Sequence, residues 1–207
     1  MPPKFDISVS RETEEKLEIY LALLKKWQPK INLISPQTLN EAWQRHFIDS
    51  MQLESLVSND IKTIYDLGCG AGFPGLVLAI MRPDINIHLV ESDQKKCSFL
   101  KTVSRETNCQ NVQIHNCRIE DVSRETLQSG IPDMVSARAL ASINKLLDYC
   151  EEWLQINPSL EFLFPKGAHY KDEIEEARQS WDFDFNKIQS KTSSEAKILL
   201  LNNVQRK

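Results

Sequence analysis

The chain has 207 residues, 41% of them hydrophobic, which is enough for one domain with a sizeable core. Its 25 basic and 29 acidic residues give a net charge of −4. That balance excludes a protein held to nucleic acid by bulk positive charge, and leaves room for a local basic patch. The five cysteines (Cys69, Cys97, Cys109, Cys117 and Cys150) are scattered, and no two form a C-x-x-C pair, so neither zinc nor another metal is expected. An odd count without a signal peptide points to reduced thiols in a cytoplasmic protein, and no apolar stretch is long enough to span a membrane.

In chain order, residues 1–9 carry Pro2 and Pro3 and are expected to be poorly ordered. Ser10 is a candidate N-cap, followed by Glu12, Glu14 and Glu15. Leu17, Leu21 and Leu24 recur at helical spacing until Pro29 ends the segment. Ser35-Pro36 restarts a helix, and a third helix carries His46, Phe47, Asp49, Ser50 and Met51. Residues 1–60 therefore read as a helical extension, and residues 61–207 as the main domain.

From there strands and helices alternate: strand 61–66 with helix 74–82, strand 86–91 with helix 93–107, strand 111–116 with helix 118–128, and strand 132–137 with helix 141–155. Strand 159–164 and a charged helix near 170–180 follow, then strands 183–190 and 196–202 with no helix between them. The alternation predicts an α/β fold whose seven-stranded sheet is mostly parallel and covered on both faces, with the last two strands antiparallel.

The densest signal is Asp66-Leu67-Gly68-Cys69-Gly70-Ala71-Gly72-Phe73-Pro74-Gly75, which holds four of the six glycines. Glycine serves where the backbone needs positive φ or where a ligand must approach closely, so a strand–turn–helix ligand site is expected here. Two registers fit. Gly70-x-Gly72-x-x-Gly75 matches the dinucleotide fingerprint, and Asp66-x-Gly68-x-Gly70-x-Gly72 matches S-adenosylmethionine (SAM) methyltransferases. The carboxylate of Asp66 favours the second, because it would repel a pyrophosphate and attract the ammonium and sulfonium of SAM. Glu91 ends the second strand and reads as an acceptor for ribose hydroxyls, against a capping role for the following helix. Arg118, Glu120 and Arg138 also lie in turns beyond the carboxyl ends of strands, where such a sheet binds ligands. A nicotinamide dehydrogenase, a SAM enzyme for small molecules or proteins, and a SAM-binding protein without transfer activity remain as alternatives.

Several segments carry a more specific likeness: Ile31-Asn32-Leu33-Ile34, His46-Phe47-Ile48-Asp49-Ser50, the glycine segment ending in Pro74-Gly75, Leu89-Val90-Glu91-Ser92, Arg118-Ile119-Glu120, Ser136-Ala137-Arg138-Ala139 and Lys166-Gly167. Together they resemble the RsmG (GidB) family, 16S rRNA methyltransferases that modify guanine N7 at nucleotide 527. The resemblance implies a Rossmann-like class I SAM methyltransferase of EC class 2.1.1 with a helical N-terminal extension. It implies SAM contacts at Gly68, Phe73, Ile119, Glu120 and Arg138, added to Asp66, Gly70, Gly72 and Glu91 from the motif itself. It also implies a partner, 16S rRNA in the small ribosomal subunit or its precursor, and the enzyme is expected to act as a monomer. Many members read Glu-Arg-His where this chain has Glu195-Ala196-Lys197.

Guanine N7 carries an in-plane lone pair and no proton, so no general base is expected, and Arg138 reads as a positioning residue. His46 and Asp49 share a helix face. The candidate RNA contacts are Lys25, Lys26, Lys30, Arg45, His46 and Lys166, with Phe73, Trp27, Trp43 and Tyr170 as aromatics for stacking a base.

Overall fold

The computed structural model describes residues 7–122, 127 and 130–207. Most of the expected disorder at residues 1–9 and part of the helix expected over 118–128 lie outside the described residues.

Helix α1 (Arg11–Trp27) starts as the sequence predicts: the Ser10 side chain accepts from the Thr13 amide at 3.1 Å. Its buried stripe is Leu17, Tyr20 and Leu24, so Tyr20 takes the place expected of Leu21. The expected second helix is one 3-10 turn, Pro36–Thr38. The third is a π-helical turn, Trp43–Ile48, running into the short helix α2 (Asp49–Met51). A π turn widens the helix by one residue and re-aims its side chains, a device common at functional sites.

The sheet contains β1 (Thr63–Leu67), β2 (Asn86–Val90), β3 (Val112–His115), β4 (Met134–Ala137), β5 (Glu161–Lys166), β6 (Trp181–Gln189) and β7 (Lys197–Arg206), in the order β3-β2-β1-β4-β5-β7-β6. The first five strands are parallel, and β7 lies antiparallel between β5 and β6. Strand order reverses at β1, so a crevice opens above the carboxyl ends of β1 and β4.

Helices cover both faces: α3 (Gly75–Met81) and α4 (Gln94–Glu106) on one, α5 (Ile143–Tyr149), α6 (Glu151–Ile156) and α7 (Tyr170–Ala177) on the other. The single helix expected over 141–155 is broken at Cys150 (φ −100°, ψ 8°), and the second piece sets Trp153 edge-on to Tyr65 with 5.2 Å between ring centroids. Along β1 the two-residue period divides the core: Ile64 faces the extension side, while Tyr65 and Leu67 face α5 and α6.

The extension shares the first of these cores. Leu17, Tyr20, Leu24, Phe47 and Leu53 are fully buried among side chains of β1, α3 and α4. The Tyr20 ring stacks on Phe73, with centroids 5.2 Å apart, and its hydroxyl donates to the Ala71 carbonyl inside the glycine turn. Replacing Tyr20 by Phe should lower stability by about 1 kcal/mol, since one buried hydrogen bond is lost. Replacing it by Ala should cost about 3–5 kcal/mol. Urea unfolding measures both, and equal losses would show that ring packing contributes nothing.

Candidate active site

The glycine turn is held from below. Asp66 is fully buried; its Oδ2 accepts from the Gly75 amide at 2.9 Å, and the Ser136 hydroxyl donates to its Oδ1 at 2.9 Å. The Asp66 side chain therefore does not face a ligand, and the attraction for a sulfonium expected from the sequence is replaced by a structural role. It ties β1 to the start of α3 and to β4. Burial pushes its pKa up to about 7, against the two hydrogen bonds and the charge of Arg138.

The four glycines differ in what they face. Gly68, Gly70 and Gly72 all have positive φ. A Cβ on Gly72 would come within 2.8 Å of the Tyr20 hydroxyl and 2.7 Å of Leu76, and one on Gly75 would strike Leu89 and Asp66. At those two glycines the missing side chain admits neighbouring elements. A Cβ on Gly68 would lie 2.6 Å from a methyl of Leu140, an exposed side chain that bends over the turn. Of these four, only Gly70 has room for a Cβ, whose nearest neighbour would be the Gly68 carbonyl oxygen at 3.9 Å.

Glu91 stands beside Gly70. Its Oε2 accepts from the Gly70 amide at 3.0 Å and its Oε1 from the Asp93 amide at 2.8 Å. The helix cap is Asp93, which accepts from the amides of Lys95 and Lys96. Each Glu91 oxygen keeps a lone pair for a further donor. Asn116, after β3, donates to the carbonyls of Glu91 and Ser92 and so fixes the turn that leads to Ile119 and Glu120. Ile119 is half-buried and Glu120 exposed, both in a 3-10 turn. Left-handed glycines, room at Gly70 and a fixed carboxylate with spare acceptors fit an adenosine-bearing cofactor.

Arg138, just past β4, is anchored to the extension. Its Nη1 donates to the Asp49 carboxylate and to the Arg45 carbonyl, both at 3.2 Å, and its Nη2 donates to His46 Nδ1 at 3.0 Å. The guanidinium lies over the Phe73 ring at 5.3 Å. Asp49 also accepts from Gln52 at 2.9 Å and from Thr192 at 2.6 Å, which brings the loop between β6 and β7 into the same network. Beside it opens a cleft of about 830 Å³, whose wall includes Arg45, Asp49, Arg138, Leu140, Lys166 and Lys197.

Several expected RNA contacts are placed differently. Lys166 donates to Glu173 and to the Ala141 carbonyl, both at 2.7 Å, with its side chain 8% exposed. It is a neutralised wall residue rather than a free cation. Burial beside Arg138 and Arg45 lowers the His46 pKa to about 4, so its ring is neutral at pH 7 and is no counter-charge for phosphate. Lys26 and Lys30 line a second groove with Trp27 and Arg105, apart from the cleft, and Lys25 is exposed on the same helix end. Arg45 stays exposed near Glu41. The rings of Phe73 and Tyr170 are buried, which leaves the half-buried Trp27 and Trp43 for stacking. Sequence reasoning missed Tyr20, Leu140 and Thr192. Tyr20 was legible from its helical spacing with Leu17 and Leu24; the other two depend on the fold.

This sheet, with a glycine turn after β1 and an acidic residue just past β2, has the fold of solved methyltransferases. Solved structures share the fold at low identity. The cofactor-bound Rv0187 from MTB aligns at TM-score 0.61 and 13% identity over 91% of this chain and 90% of that one. M. jannaschii TYW2 in complex with AdoMet aligns at TM-score 0.56 and 15% identity over 86% and 80%. The chain belongs to the GidB family, rRNA small subunit methyltransferase G, whose profile matches residues 13–201. The Ribosomal RNA small subunit methyltransferase G of Rhizobium leguminosarum bv. trifolii is 40% identical over 97% of each chain. That of Parvibaculum lavamentivorans is 44% identical over 93% of this chain and 84% of its own. The family and enzyme class implied by the ordered motifs are therefore correct. Among the described residues no helix is long and apolar enough to cross a membrane.

The Asp66 carboxyl gives a pH test. Between its ordinary value of 3.8 and about 7, the folded protein keeps a proton that the unfolded chain has released. Stability from this group is thus full below pH 3.8 and is lost as pH rises through 7. Relative to the wild type, Asp66→Asn should gain stability as pH rises from about 4 to 8, because the other titrating groups contribute equally to both proteins. Urea melts at pH 5 and pH 8 read the difference, and a pH-independent offset contradicts this account of Asp66.

Proposed function

We propose that this protein methylates N7 of a guanine in 16S rRNA, nucleotide 527, within the small ribosomal subunit or its precursor. The observation that carries this reading is the cleft beside Arg138: its wall residues Leu140 and Arg138 also touch the glycine turn at Gly68 and Phe73, and the carboxylates nearest its cations are already engaged. Asp49 is paired with Arg138, and Glu173 with Lys166. Such a site suits a nucleophile that needs no deprotonation, and guanine N7 is one.

SAM supplies the electrophilic methyl group when bound. Glu91 would accept the ribose hydroxyls, Gly70 would let the ligand approach the backbone, and the turn at Ile119–Glu120 together with Gly68 and Leu140 would hold the rest of the cofactor. Arg138 holds a carboxylate or a phosphate at the wall shared by the two ligands. Catalysis then consists largely of holding N7 in line behind the methyl group. The Asp49 and Glu173 carboxylates make the cleft wall less hostile to the positive charge that develops on the ring. Arg45 and Lys197 line the cleft, and Lys25, Lys26 and Lys30 offer a separate positive patch on the extension. With few cations at the site, RNA affinity should depend weakly on salt.

Transfer of labelled methyl from SAM to small subunits that lack the modification tests the reading, with the label mapped in the rRNA. Label at N7 of guanine 527 is expected; label in ribosomal protein, or none in RNA, would overturn it. Glu91→Ala should weaken SAM binding by about 1–3 kcal/mol, the cost of leaving bound hydroxyls and the Gly70 amide without an acceptor. Calorimetry measures this, and unchanged affinity in a folded variant rejects the ribose role.

A further inference from the structure

The bonds around His46 define its protonation state. A guanidinium only donates, so His46 Nδ1, 3.0 Å from Arg138 Nη2, must be the acceptor. The other ring nitrogen, Nε2, lies 3.0 Å from the Thr38 hydroxyl. That hydroxyl already donates to the Ser35 carbonyl at 2.8 Å, so it accepts from Nε2–H. Every hydrogen in the series Arg138, His46, Thr38, Ser35 is therefore assigned, and the ring is the neutral Nε2–H tautomer. The ring also stacks on Phe73 at 5.2 Å, the same ring that Arg138 covers.

We propose that His46 is a positioning residue for methyl transfer, its neutral Nδ1 fixing the Arg138 guanidinium at the cleft wall. The proposal rests on the assignment of Arg138 to the transfer site. The Asp49 carboxylate and the Arg45 carbonyl both hold Nη1 and leave the guanidinium free to turn about that nitrogen; the further bond, at Nη2, removes the turn. The fork is then held by three residues of the π-helical turn and its continuation, Arg45, His46 and Asp49, and the extension sets the position of a side chain that projects from the sheet.

The clamp opens with acid. The groups facing His46 are Arg138 from the end of β4, Arg45 and Asp49 from its own helical segment, and the uncharged Thr38 and Phe73. Protonation removes the acceptor and sets an imidazolium against a guanidinium. Burial and the two arginines lower the ring's pKa to about 4, so the clamp is closed at neutral pH and opens as pH falls through the region of that value.

The test uses the full-length enzyme and small subunits lacking the modification. Asn offers an acceptor near the position of Nδ1, whereas Gln reaches toward Nε2. His46→Asn should keep kcat/KM within about fivefold of wild type, and His46→Gln and His46→Leu should lose about 10- to 100-fold, the range for a hydrogen bond to a charged group. His46→Asn should also flatten the acid limb of the pH–rate profile. In an Arg138→Ala background, His46→Leu should bring no further loss. Nitrogen NMR of the folded wild type adds a readout independent of activity: a neutral ring with unprotonated Nδ1 at pH 6 is expected. Equal damage by Asn and Gln, a protonated ring at pH 6, or a full additional loss in the Arg138→Ala background would overturn the positioning role alone. Wild-type turnover by Arg138→Ala would instead remove the assignment of Arg138 on which it rests.

Discussion

A buried carboxyl with two partners shapes the rest of this site. Asp66 sits at the carboxyl end of β1, and its oxygens hold the first amide of α3 and a hydroxyl of β4. Those bonds fix where the glycine turn leaves the sheet and where it re-enters a helix. A carboxyl without partners in that position would cost several kcal/mol of desolvation. With them it becomes a bracket across three elements, set directly under the turn. Glu91 supplies the second support, bonding the Gly70 amide from the neighbouring strand. The turn is thus shaped by two acids, one sealed beneath it and one at its open edge.

The extension acts as the third wall. Tyr20 enters from α1 to bind the Ala71 carbonyl and fills the space at Gly72 that a side chain would occupy. Phe73 is packed among Tyr20, Phe47 and His46, and Arg138 lies over it. Gln52 and Asp49 then reach Ser190, Lys191 and Thr192 in the loop between the last two strands. One network therefore joins the extension, the end of β4 and the far edge of the sheet. The same helical segment thus borders both the glycine turn and the cleft.

Much of this was legible in the sequence, and the exceptions have physical causes. Strand–helix alternation, the antiparallel last pair and the glycine turn follow from local periodicity, and Ser10 capped α1 as its side-chain chemistry requires. A loop-edge acid such as Asp66 is expected from the sequence to face outward, and the structure turns it inward. The two-residue period of β1 sets it on the face opposite Tyr65 and Leu67, beneath the turn. Lys166 looked like a free cation because its partner, Glu173, comes from the following helix and meets it only through the fold. The π turn at Trp43–Ile48 has no local signature, and it gives His46 and Asp49 their common target in Arg138.

The central claim is that the glycine turn is built without a ligand. Residue-resolved amide hydrogen exchange on the ligand-free protein tests it most directly, through the amides of Gly70 and Gly75, which donate to Glu91 and Asp66. Protection of both amides approaching that of the β1 amides, without SAM, is the predicted result. Exchange at the rate of an open loop, with protection appearing only when SAM is added, would contradict it.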